Sequence, residues 1–529
     1  MSKNKTQRKI KWNILTWAVS AVLAVVFYFA VTGFSAFPSK YKLPVLAILA
    51  VLIALTGIFS FRAKKGGKTV ITVINVILSV CLAAGSIYVP YLDGKMKKIF
   101  TSVSGSRDLV INVYAFTEEY KADHPEVVIN GRTSTPTDIA EYKGAGLIVQ
   151  SAVDQENQEY ALNQLEEENS GLNLDKIRTE DIASAVDAFY AGDGELLMMS
   201  ANYESSITNI EEYSSFATDT VIVASVSRKI EVKEEEKPEV VKDITNTPFT
   251  VYIAGSDTRY YNLTYYGRTD VNILLTVNPN TKQMLITGIP RDAYIPNPAL
   301  GYGYDKLTHL GNDGLYNTMQ GISDYFGIDV DYYVSVNFIT FKNIIDAVGG
   351  VDIYNPYAFS NTDQGAGYSS QAYYFPEGDI HLTGDSGLAY VRERYALPDG
   401  DYGRNEHQTI VLKALLSKLT SSEILSYYGD VLSALEGQFL TDMAPEVIYQ
   451  LAGSQVDSAG SWQMISYHIG GEGAMQGTAS MGWDRPLYVV NLFDSQVYFI
   501  QDQINKVMND EVIEQTELPD AGDTTYIPN

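Results

Sequence analysis

Three long runs of apolar residues lie near the start of the 529-residue chain. They cover Trp12–Phe34, Leu43–Phe61 and Thr69–Val89, and none has a charged residue in its interior. Each run has about the length that a helix needs to cross a hydrocarbon layer of roughly 30 Å. A cleaved signal peptide is disfavoured, because two spans would remain after cleavage. The pattern therefore predicts three transmembrane helices.

Basic residues are distributed unevenly around these runs. The tail before Trp12 has five Lys or Arg residues and the second loop has four, whereas the first loop has two. Because cytoplasmic segments carry an excess of Lys and Arg, the tail and the second loop are predicted to face the cytoplasm. An odd number of spans then places everything after Val89 outside the cell, although three lysines between residues 95 and 98 oppose this orientation. We expect a three-pass protein of the cell membrane with a large extracellular part.

Residues 99–228 alternate strand-like apolar runs with amphipathic segments, which is typical of a small α/β unit. The predicted strands are Leu109–Phe116, Gly146–Val153, Leu196–Met199 and Thr220–Val226, and the predicted helices are Glu156–Glu167 and Thr179–Tyr190. No nucleophile–base pair or metal cluster stands out in this region. We interpret it as an extracellular accessory or partner-binding domain, followed by a charged, proline-containing linker at 229–247.

Residues 248–509 form the predicted main domain. Its predicted strands are Phe249–Ala254, Val271–Asn278, Gln283–Ile289, Tyr332–Asn337 and Val351–Tyr354, and its predicted helices are Phe341–Ala347 and His407–Leu419. A hairpin turn at Pro279–Lys282 joins two of these strands. The mixture indicates an α/β domain with helices packed on the faces of a sheet. The order along the chain is then a cytoplasmic tail at 1–11, a membrane region at 12–98, the two domains with their linker, and an acidic disordered tail at 510–529.

Charge and cysteine content exclude several functions. The whole chain has a formal net charge of −26, yet residues 1–98 hold 14 basic and 1 acidic side chains, so the remainder carries −39. A part this acidic lacks the basic footprint of a nucleic-acid binder. The single cysteine, Cys81, lies in the third apolar run, which excludes an internal disulfide and a Cys-based zinc site. The chain also has no nucleophile elbow, HExxH motif or Walker A motif.

Arginines and carboxylates recur in two segments of this acidic chain. One is VRERYALPDGDYGRNEHQ, from Val391 to Gln408, and the other surrounds Arg268, Asp270, Arg291 and Asp292. Arg268 and Asp270 share one side of a predicted strand, as do Arg392 and Arg394. Arg404 and Gln408 share one helix face. Surface salt bridges explain any single arginine, but the joint arrangement favours a bound polyanion such as pyrophosphate.

Two aspartates lie at the ends of neighbouring predicted strands. Asp257 follows the first strand of the main domain, and Asp270 opens the next one. Such ends converge on one edge of a sheet, where two carboxylates can hold Mg²⁺, with Mn²⁺ as the alternative ion. Turn-capping aspartates are the structural alternative.

Long stretches of the main domain resemble the LytR–CpsA–Psr family. They are GRTDVNILLTVNPNTKQMLITGIPRDAYIP, YDKLTHLG, NFITFKNIIDAVGGVDIYNP and the Val391–Gln408 segment. The resemblance runs from Val251 to about Leu419. The three spans and the accessory domain are similar to those of the CpsA-type subgroup, which is linked to streptococcal-type capsules.

The resemblance implies a transferase on the outer face of the membrane. It would move a glycopolymer, for this subgroup a capsular polysaccharide, from a polyprenyl-pyrophosphate carrier to peptidoglycan, in contact with other capsule-assembly proteins. It further implies that Asp257 and Asp270 hold Mg²⁺ and that Asp270, Arg291 and Arg268 are catalytic. The implied pyrophosphate-binding set is Arg268, Arg291, Lys306, Arg392, Arg394, Asp401, Arg404 and Gln408. An apolar cavity for the prenyl tail has as candidates Val334, Val336, Phe338, Ile344, Ile345 and Leu412, which core packing explains equally well.

Three other functions remain open from the residues alone. A phosphatase acting on prenyl pyrophosphate would use the same residues with water as the acceptor. A non-catalytic lipid-binding regulator of capsule assembly would bind the lipid without turnover. A transcriptional attenuator, an older label for the family, is disfavoured by the predicted topology and by the −39 charge of the exterior.

Overall fold

The computed structural model describes residues 11–34, 41–103, 108–151, 153–230, 243–256, 265–361, 372–421, 424–435, 439–444, 447–448, 451, 462–523 and 525. The chain forms two compact units, each of which is described by itself. The first comprises Met1–Ser102, Tyr428–Glu436 and Met443–Gly460. The second comprises Val103–Tyr427, Gly437–Asp442 and Ser461–Asn529.

Three long helices dominate the first unit and correspond to the three predicted spans. They are α1 (Trp12–Thr32), α2 (Lys42–Arg62) and α3 (Lys65–Val103). By length and composition, all three are able to cross a membrane. Many of their large apolar side chains are exposed, as expected for helices that face lipid. The third helix is longer than predicted, because it continues through Pro90.

Polar side chains join the three helices inside this apolar bundle. The Asn75 side chain donates to Ser60 Oγ at 3.0 Å, and Ser20 Oγ donates to the Asn75 carbonyl at 2.9 Å. Trp17 Nε1 donates to the Ile53 carbonyl at 2.9 Å. Hydrogen bonds of this kind hold membrane helices together where the hydrophobic effect gives no preference between protein and lipid.

The accessory domain of the second unit is a five-stranded sheet with helices. Its strands are β1 (Asp108–Phe116), β2 (Gly146–Gln150), β3 (Asp175–Thr179), β4 (Leu196–Ser200) and β5 (Thr220–Lys229), in the order β3-β2-β4-β1-β5. Its helices are α4 (Glu118–Asp123), α5 (Gln155–Glu168), α6 (Ile182–Tyr190), α7 (Glu204–Ile207) and α8 (Phe216–Asp219). The predicted elements are present. β3 was not predicted, because this edge strand (DKIRT) buries none of its side chains.

The main domain is built on a six-stranded sheet with the order β16-β11-β6-β7-β8-β17. These strands are β6 (Phe249–Ser256), β7 (Thr269–Asn278), β8 (Gln283–Gly288), β11 (Tyr332–Asn337), β16 (Phe439–Thr441) and β17 (Gln463–His468). Four two-stranded ribbons surround the sheet. They pair β9 (Tyr294–Asn297) with β10 (Gly303–Lys306), β12 (Val351–Asn355) with β15 (Gly378–Leu382), β13 (Phe359–Ser360) with β14 (Tyr374–Phe375), and β18 (Gly471–Thr478) with β19 (Gly482–Leu492).

Helices cover both faces of this sheet. They are α9 (Leu307–Leu310), α10 (Leu315–Phe326), α11 (Phe338–Ala347), α12 (Gly384–Arg392), α13 (Asp401–Leu419) and α15 (Asp494–Met508). Most of the remaining helix, α14 (Ile424–Leu435), belongs to the first unit. Leu285 of β8 packs in the core with Phe499 of α15, whereas Gly288, three positions along the same strand, faces Asn405 of α13. Because alternate residues of a strand point to opposite faces, α15 and α13 lie on opposite sides of the sheet. The predicted α/β class is confirmed.

The chain after α15 differs from the predicted disordered tail. Gln283 in β8 accepts a hydrogen bond from Ile513 N at 2.8 Å and donates to the Glu511 carbonyl at 3.0 Å. The Ile513 side chain is buried in the core, and Gln515 bonds to Ser466 of β17. The buried Ile513 side chain and these bonds between glutamine side chains and the backbone order a segment after α15, although its composition alone favours disorder. Of the predicted linker, 231–242 lies outside the described residues.

A half-buried carboxyl group connects the accessory and main domains. Asp313 Oδ1 accepts a hydrogen bond from the accessory residue Tyr203 at 2.8 Å, and Asp313 Oδ2 accepts one from Asn297 at 3.1 Å. Burial raises the pKa of Asp313 to about 7, against the two hydrogen bonds that lower it. Within the accessory domain, burial likewise raises the pKa of Asp154, which accepts a hydrogen bond from Ser200, to about 6. The contact between the domains therefore contains one carboxyl group that titrates near neutrality.

The substitution Asp313→Asn is expected to flatten the pH dependence of stability. The folded-state pKa of Asp313 lies above its ordinary value of 3.8, so the folded protein binds this proton more tightly than the unfolded chain does. The resulting stabilisation is complete below the ordinary pKa and is lost as the pH rises through about 7. The Tm of the detergent-solubilised wild type should therefore fall by a few degrees between about pH 5.5 and 8.5, and that of Asp313→Asn by less.

The control for this measurement is Asp329→Asn, which changes an exposed carboxylate of the same domain. It should keep the wild-type slope of Tm against pH. Identical slopes for all three proteins would contradict the assignment of the titration to Asp313.

Candidate functional site

The site is built where β7 begins and β8 ends. These strands are antiparallel, with Ile273 opposite Gly288, so the residues before Ile273 and after Gly288 meet at one edge of the sheet. Arg291 Nη1 donates to Asp270 Oδ1 at 2.7 Å, and Arg268 Nη2 lies 3.5 Å from the same oxygen. Three of the predicted residues are therefore brought together around one carboxylate.

A second ion pair extends the site along the chain. Lys306 Nζ donates to Asp292 Oδ1 at 3.0 Å, and Arg291 Nε lies 3.6 Å from Asp292 Oδ2. Arg291 thus stands between two carboxylates. The sequence pattern groups Asp292 with these arginines and carboxylates but predicts no role for it. In the structure Asp292 holds Lys306, a member of the implied pyrophosphate-binding set, beside Arg291.

Helix α13 brings Arg404 to the same place. Asn405, the next residue, donates from Nδ2 to the Ile289 carbonyl at 3.2 Å. This approach requires glycine at 288, because a Cβ there would lie 2.2 Å from Asn405 Oδ1. Arg404 is buried and pairs with Asp401, one turn before it. The charge of Arg404 acts on Asp270 and Asp292.

The other predicted residues are held differently. Arg392 ends α12, and its guanidinium lies 4.4 Å from the centre of the Phe338 ring. Arg394 stacks against Tyr395, also at 4.4 Å, and Gln408 Nε2 donates weakly to the Val391 carbonyl at 3.4 Å. The expected strand-like relation of Arg392 and Arg394 is wrong, because the helix ends at Arg392 and the chain then turns.

Glu393 stabilises that turn, a role that the sequence pattern does not predict. Its side chain is fully buried, and Oε1 accepts hydrogen bonds from the backbone N–H groups of Arg394, Tyr395 and Ala396, at 3.0, 2.7 and 2.9 Å. A carboxylate that accepts three backbone bonds fixes the loop between α12 and α13. A single Glu between two arginines gives no signal of this role in the sequence.

His407 is a structural residue. Its ring stacks 4.0 Å from that of Tyr390, and Nδ1 lies 3.2 Å from the Tyr390 carbonyl. Burial lowers the pKa of His407 to about 4, so the imidazole is neutral at physiological pH. It packs α13 against Tyr390 of α12 and brings no charge to the site.

The electrostatics of Asp270 are set by its arginines. Burial by itself raises the pKa of this carboxyl, but Arg291, Arg268 and Arg404 lower it, and the net result lies well below the ordinary value. Asp270 is therefore ionised at neutral pH and is a weak base. The same balance of burial against Arg291 and Lys306 lowers the pKa of Asp292.

The arginines retain unused hydrogen-bonding capacity. Within the described part of the chain, the buried Nε atoms of Arg268, Arg291 and Arg404 have no hydrogen-bond partner. A buried donor that stays unsatisfied costs about 1–3 kcal/mol. Among the described residues of the site, the four cations Arg268, Arg291, Arg404 and Lys306 also outnumber the three carboxylates of Asp270, Asp292 and Asp401. Spare donors and excess positive charge in a protein with a net charge of −26 indicate an anion site.

The accessory domain holds one of these arginines in place. Arg268 is only 4% exposed, and its Nη1 donates to the Ser205 carbonyl of α7 at 2.9 Å. Beside it, Asn312 Nδ2 donates to Ser206 Oγ at 3.1 Å, and Asn202 Nδ2 donates to the Asn312 carbonyl at 2.7 Å. The accessory domain, interpreted from its sequence as a partner-binding unit, thus contributes directly to the geometry of the site.

The fit of this site to a metal rests on one described carboxylate. The described residues contain no group of three or more His, Cys, Asp or Glu side chains that could hold a metal. Asp257, the second predicted ligand, lies outside them. Both arginine contacts of Asp270 fall on Oδ1, so Oδ2 is the oxygen suited to a cation. Mg²⁺ commonly takes one or two carboxylates and completes its shell with water and phosphate, which this arrangement accommodates.

Comparisons with known proteins agree on one family. The model of the LytR_cpsA_psr family matches residues 216–489, a range that begins inside the accessory domain. The polyisoprenyl-teichoic acid–peptidoglycan teichoic acid transferase TagU of Enterococcus faecalis is 33% identical over 229 residues, covering 43% of this chain and 72% of that protein. TagU of Bacillus mycoides is 32% identical, covering 41% and 68%. A crystal structure of B. subtilis TagV is 24% identical, covers 50% and 98%, and superposes with a TM-score of 0.40.

The substitution Asp270→Asn is expected to destabilise the protein and to make it more responsive to anions. Removing the carboxylate leaves buried arginines uncompensated, at a cost of about 3 kcal/mol in the free energy of unfolding. Bound pyrophosphate would replace the lost charge. The rise in Tm on adding pyrophosphate, measured with a chelator at constant ionic strength, should therefore be larger for Asp270→Asn than for wild type.

A matched control is Asp502→Asn, which breaks the exposed pair with Lys506. Its Tm and its response to pyrophosphate should equal those of wild type. An Asp270→Asn protein with an unchanged or smaller response would show that these arginines do not bind the anion.

Proposed function

Because the chain belongs to the LytR–CpsA–Psr family, we propose that it transfers a glycopolymer from a polyprenyl-pyrophosphate carrier to peptidoglycan. The observation that carries the proposal is the set of three arginines around Asp270, two buried and one partly buried, whose Nε atoms have no hydrogen-bond partner among the described residues. The names of the relatives support a cell-wall polymer as cargo and peptidoglycan as acceptor. The three spans and accessory domain of the CpsA type favour a capsular polysaccharide as this chain's polymer.

The proposed reaction is a phosphoryl transfer. A sugar hydroxyl of peptidoglycan attacks the phosphorus attached to the polymer and forms a phosphodiester. The bond from that phosphorus to the bridging oxygen breaks, and undecaprenyl phosphate leaves with the electron pair. The hydroxyl proton passes to solvent or to a base other than Asp270, whose lowered pKa makes it a poor acceptor. Such transfers depend on positioning and on stabilising charge.

The basic residues of the site are proposed to contact different parts of the pyrophosphate, according to their positions. Arg268, Arg291 and Arg404 surround Asp270 and would bind the phosphate oxygens through their spare N–H groups. Lys306 borders the site through Asp292. Arg392, Arg394 and Gln408 stay proposed contacts of the second phosphate.

A divalent cation would add to this charge. Asp270 through Oδ2 would hold Mg²⁺, with Asp257 as the second proposed ligand and Mn²⁺ as the alternative ion. When bound, the ion would neutralise phosphate oxygens in the transition state. The protein's own contribution is to keep Asp270 ionised and fixed by two arginines.

An apolar strip beside the site suits the prenyl tail. Val334 and Val336 lie two residues apart on β11 and are half-buried, as are Phe338 and Leu412. Arg392 sits over the Phe338 ring, so a cation stands at one end of the strip. An apolar surface with a cation at its end is the shape that a lipid with a phosphate head requires. Ile344 and Ile345 are buried and belong to the core.

The distribution of basic residues supports an extracellular location for this domain. The tail and the second loop hold more Lys and Arg than the first loop, which favours a cytoplasmic N-terminus. We therefore place the catalytic domain at the cell surface, where peptidoglycan is available.

Replacing Arg291 or Asp270 by alanine is expected to lower the transfer rate by about a hundredfold or more, because Arg291 would bind the phosphate oxygens and Asp270 fixes Arg291 and would hold the cation. Purified full-length protein would be given lipid-linked oligosaccharide, peptidoglycan fragments and Mg²⁺, and the products would be identified by mass spectrometry. The control is Arg178→Ala, which removes an exposed arginine of the accessory domain. Near wild-type transfer by both site variants would reject the site.

The same products separate the alternative functions. Release of free polymer phosphate without a peptidoglycan adduct would identify a phosphatase. Lipid binding without any Mg²⁺-dependent product would identify a regulator that only binds the carrier.

Protease treatment of intact cells tests the orientation. Residues after the third span should be digested from outside, while an epitope tag before Trp12 stays protected until the cells are lysed. A cytosolic protein detected in the same cells controls for leakage. Protection of the large domain in intact cells would place it in the cytoplasm and overturn the proposed location.

A further inference from the structure

Glu393 is a fully buried residue between two half-buried arginines. Helix α12 ends at Arg392, and Glu393 follows it with an extended backbone, at φ −64° and ψ 136°. The Oε1 atom of Glu393 accepts the backbone N–H groups of Arg394, Tyr395 and Ala396 at 3.0, 2.7 and 2.9 Å. Successive N–H groups that converge on one negatively charged oxygen hold the main chain in a concave curve. The loop after α12 therefore takes its shape from an anion that the chain itself supplies.

Both arginines are joined to this curve through their main chains. Arg392 is the last residue of α12, and Glu393 N continues the helix bonding by donating to the Ala389 carbonyl at 3.2 Å. The N–H group of Arg394 is one of the three that Glu393 holds. A functional side chain is placed precisely only when neighbouring residues fix the backbone and the rotamer that carry it. Glu393 thus fixes the backbone from which both guanidinium groups extend.

The end of β11 and the start of β7 lie along one edge of the main sheet. Asn337 of β11 pairs with Ser256 of β6, and Ser256 pairs with Thr269 of β7. Neighbouring strands are about 4.8 Å apart, so these two strand ends are separated by about 10 Å. Asp270 and its arginines occupy the β7 end of this row.

Arg392 occupies the β11 end of the row. Phe338 directly follows β11, and the Arg392 guanidinium lies 4.4 Å from the centre of its ring. Val334 and Val336 of the proposed lipid strip come just before Phe338 on β11. A prenyl chain along this strip would bring its own phosphate to Arg392 and the second phosphorus toward Asp270. In the proposed reaction the lipid-side phosphate leaves, and cations beside it stabilise the charge that develops there.

We infer that Glu393 is a positioning residue for the leaving phosphate, because it holds Arg392 and Arg394 where they bind the phosphate attached to the prenyl chain. This inference rests on the proposed function. Glu393 itself touches no substrate in this role and acts through the backbone of the loop. A buried charge is tolerated where it is hydrogen-bonded, as Glu393 is by three N–H groups.

A second anchor allows this role to be tested while the domain stays folded. Leu397 is buried and packs on α13, where a Cβ added to Gly403 would lie 3.2 Å from Leu397 Cδ1. This apolar contact holds the later part of the loop without Glu393. The substitution Glu393→Ala is therefore expected to release Arg394 from its position and to leave α12 and α13 in place.

The test measures binding of two probes to the full-length protein in detergent, without an acceptor. Geranyl monophosphate presents a prenyl chain with its phosphate, and geraniol presents the chain alone. Glu393→Ala should bind geranyl monophosphate about tenfold more weakly and geraniol unchanged, because contacts to a charged group are lost. Glu393→Gln keeps an oxygen that accepts the three N–H bonds and should remain close to wild type. Glu377→Ala, which removes an exposed glutamate of the same domain, is the matched control.

Transfer kinetics give a second readout. With lipid-linked oligosaccharide as donor and peptidoglycan fragments as acceptor, Glu393→Ala should raise the donor KM and leave the acceptor KM unchanged. General loss of folding would not separate the two KM values.

The binding measurement keeps this inference distinct from the proposed reaction. Selective loss of geranyl monophosphate binding in Glu393→Ala supports the positioning role even when no transfer is observed and the proposed reaction fails. Wild-type binding of both probes by this variant refutes the role, whether or not transfer occurs. Equal loss of both probes, or a wild type that binds geraniol as tightly as geranyl monophosphate, would also overturn the inference.

Discussion

The ionised carboxylate of Asp270 is the interaction on which the site depends. Burial opposes its charge, and only the guanidinium groups of Arg291, Arg268 and Arg404 keep it deprotonated. The dependence is mutual, because Arg268 and Arg404 are buried, Arg291 is partly buried, and all three need a counterion. The cluster brings together the start of β7, the end of β8 and the start of α13. It therefore fixes the local geometry and leaves an excess of positive charge at one edge of the sheet.

The surrounding structure serves to hold those charges rigidly. Gly288 lets α13 approach β8 closely enough for Asn405 to bond the Ile289 carbonyl. Glu393 fixes the loop before α13 through three backbone N–H groups. The stacked rings of His407 and Tyr390 pack α13 against α12. Rigid placement of this kind matters for phosphoryl transfer, in which oriented charge performs most of the work.

The sequence revealed the parts of the fold that have a strong periodic signal. Apolar runs identified the three spans, and buried strands such as Val271–Asn278 were evident from their composition. The edge strand β3 was missed because none of its side chains is fully buried. Asp270, Arg268 and Arg291 were correctly grouped, since the ends of neighbouring strands converge. The environment of Arg392 was not predicted, because it is formed by the end of a helix and by the ring of Phe338 from another segment. The contact of Arg268 with Ser205 joins residues far apart in the chain and has no local signature.

The contact of Arg268 with Ser205 limits which accessory domain this chain can carry. An arginine at the centre of the site donates one of its hydrogen bonds to a main-chain carbonyl of the neighbouring domain. A main-chain acceptor is defined by the path of the backbone, so no side-chain exchange at position 205 deletes it, and no foreign domain supplies it without following the same path. The accessory domain is consequently not an interchangeable module. Exchange of the accessory domain alone would therefore remove one of the bonds that position Arg268.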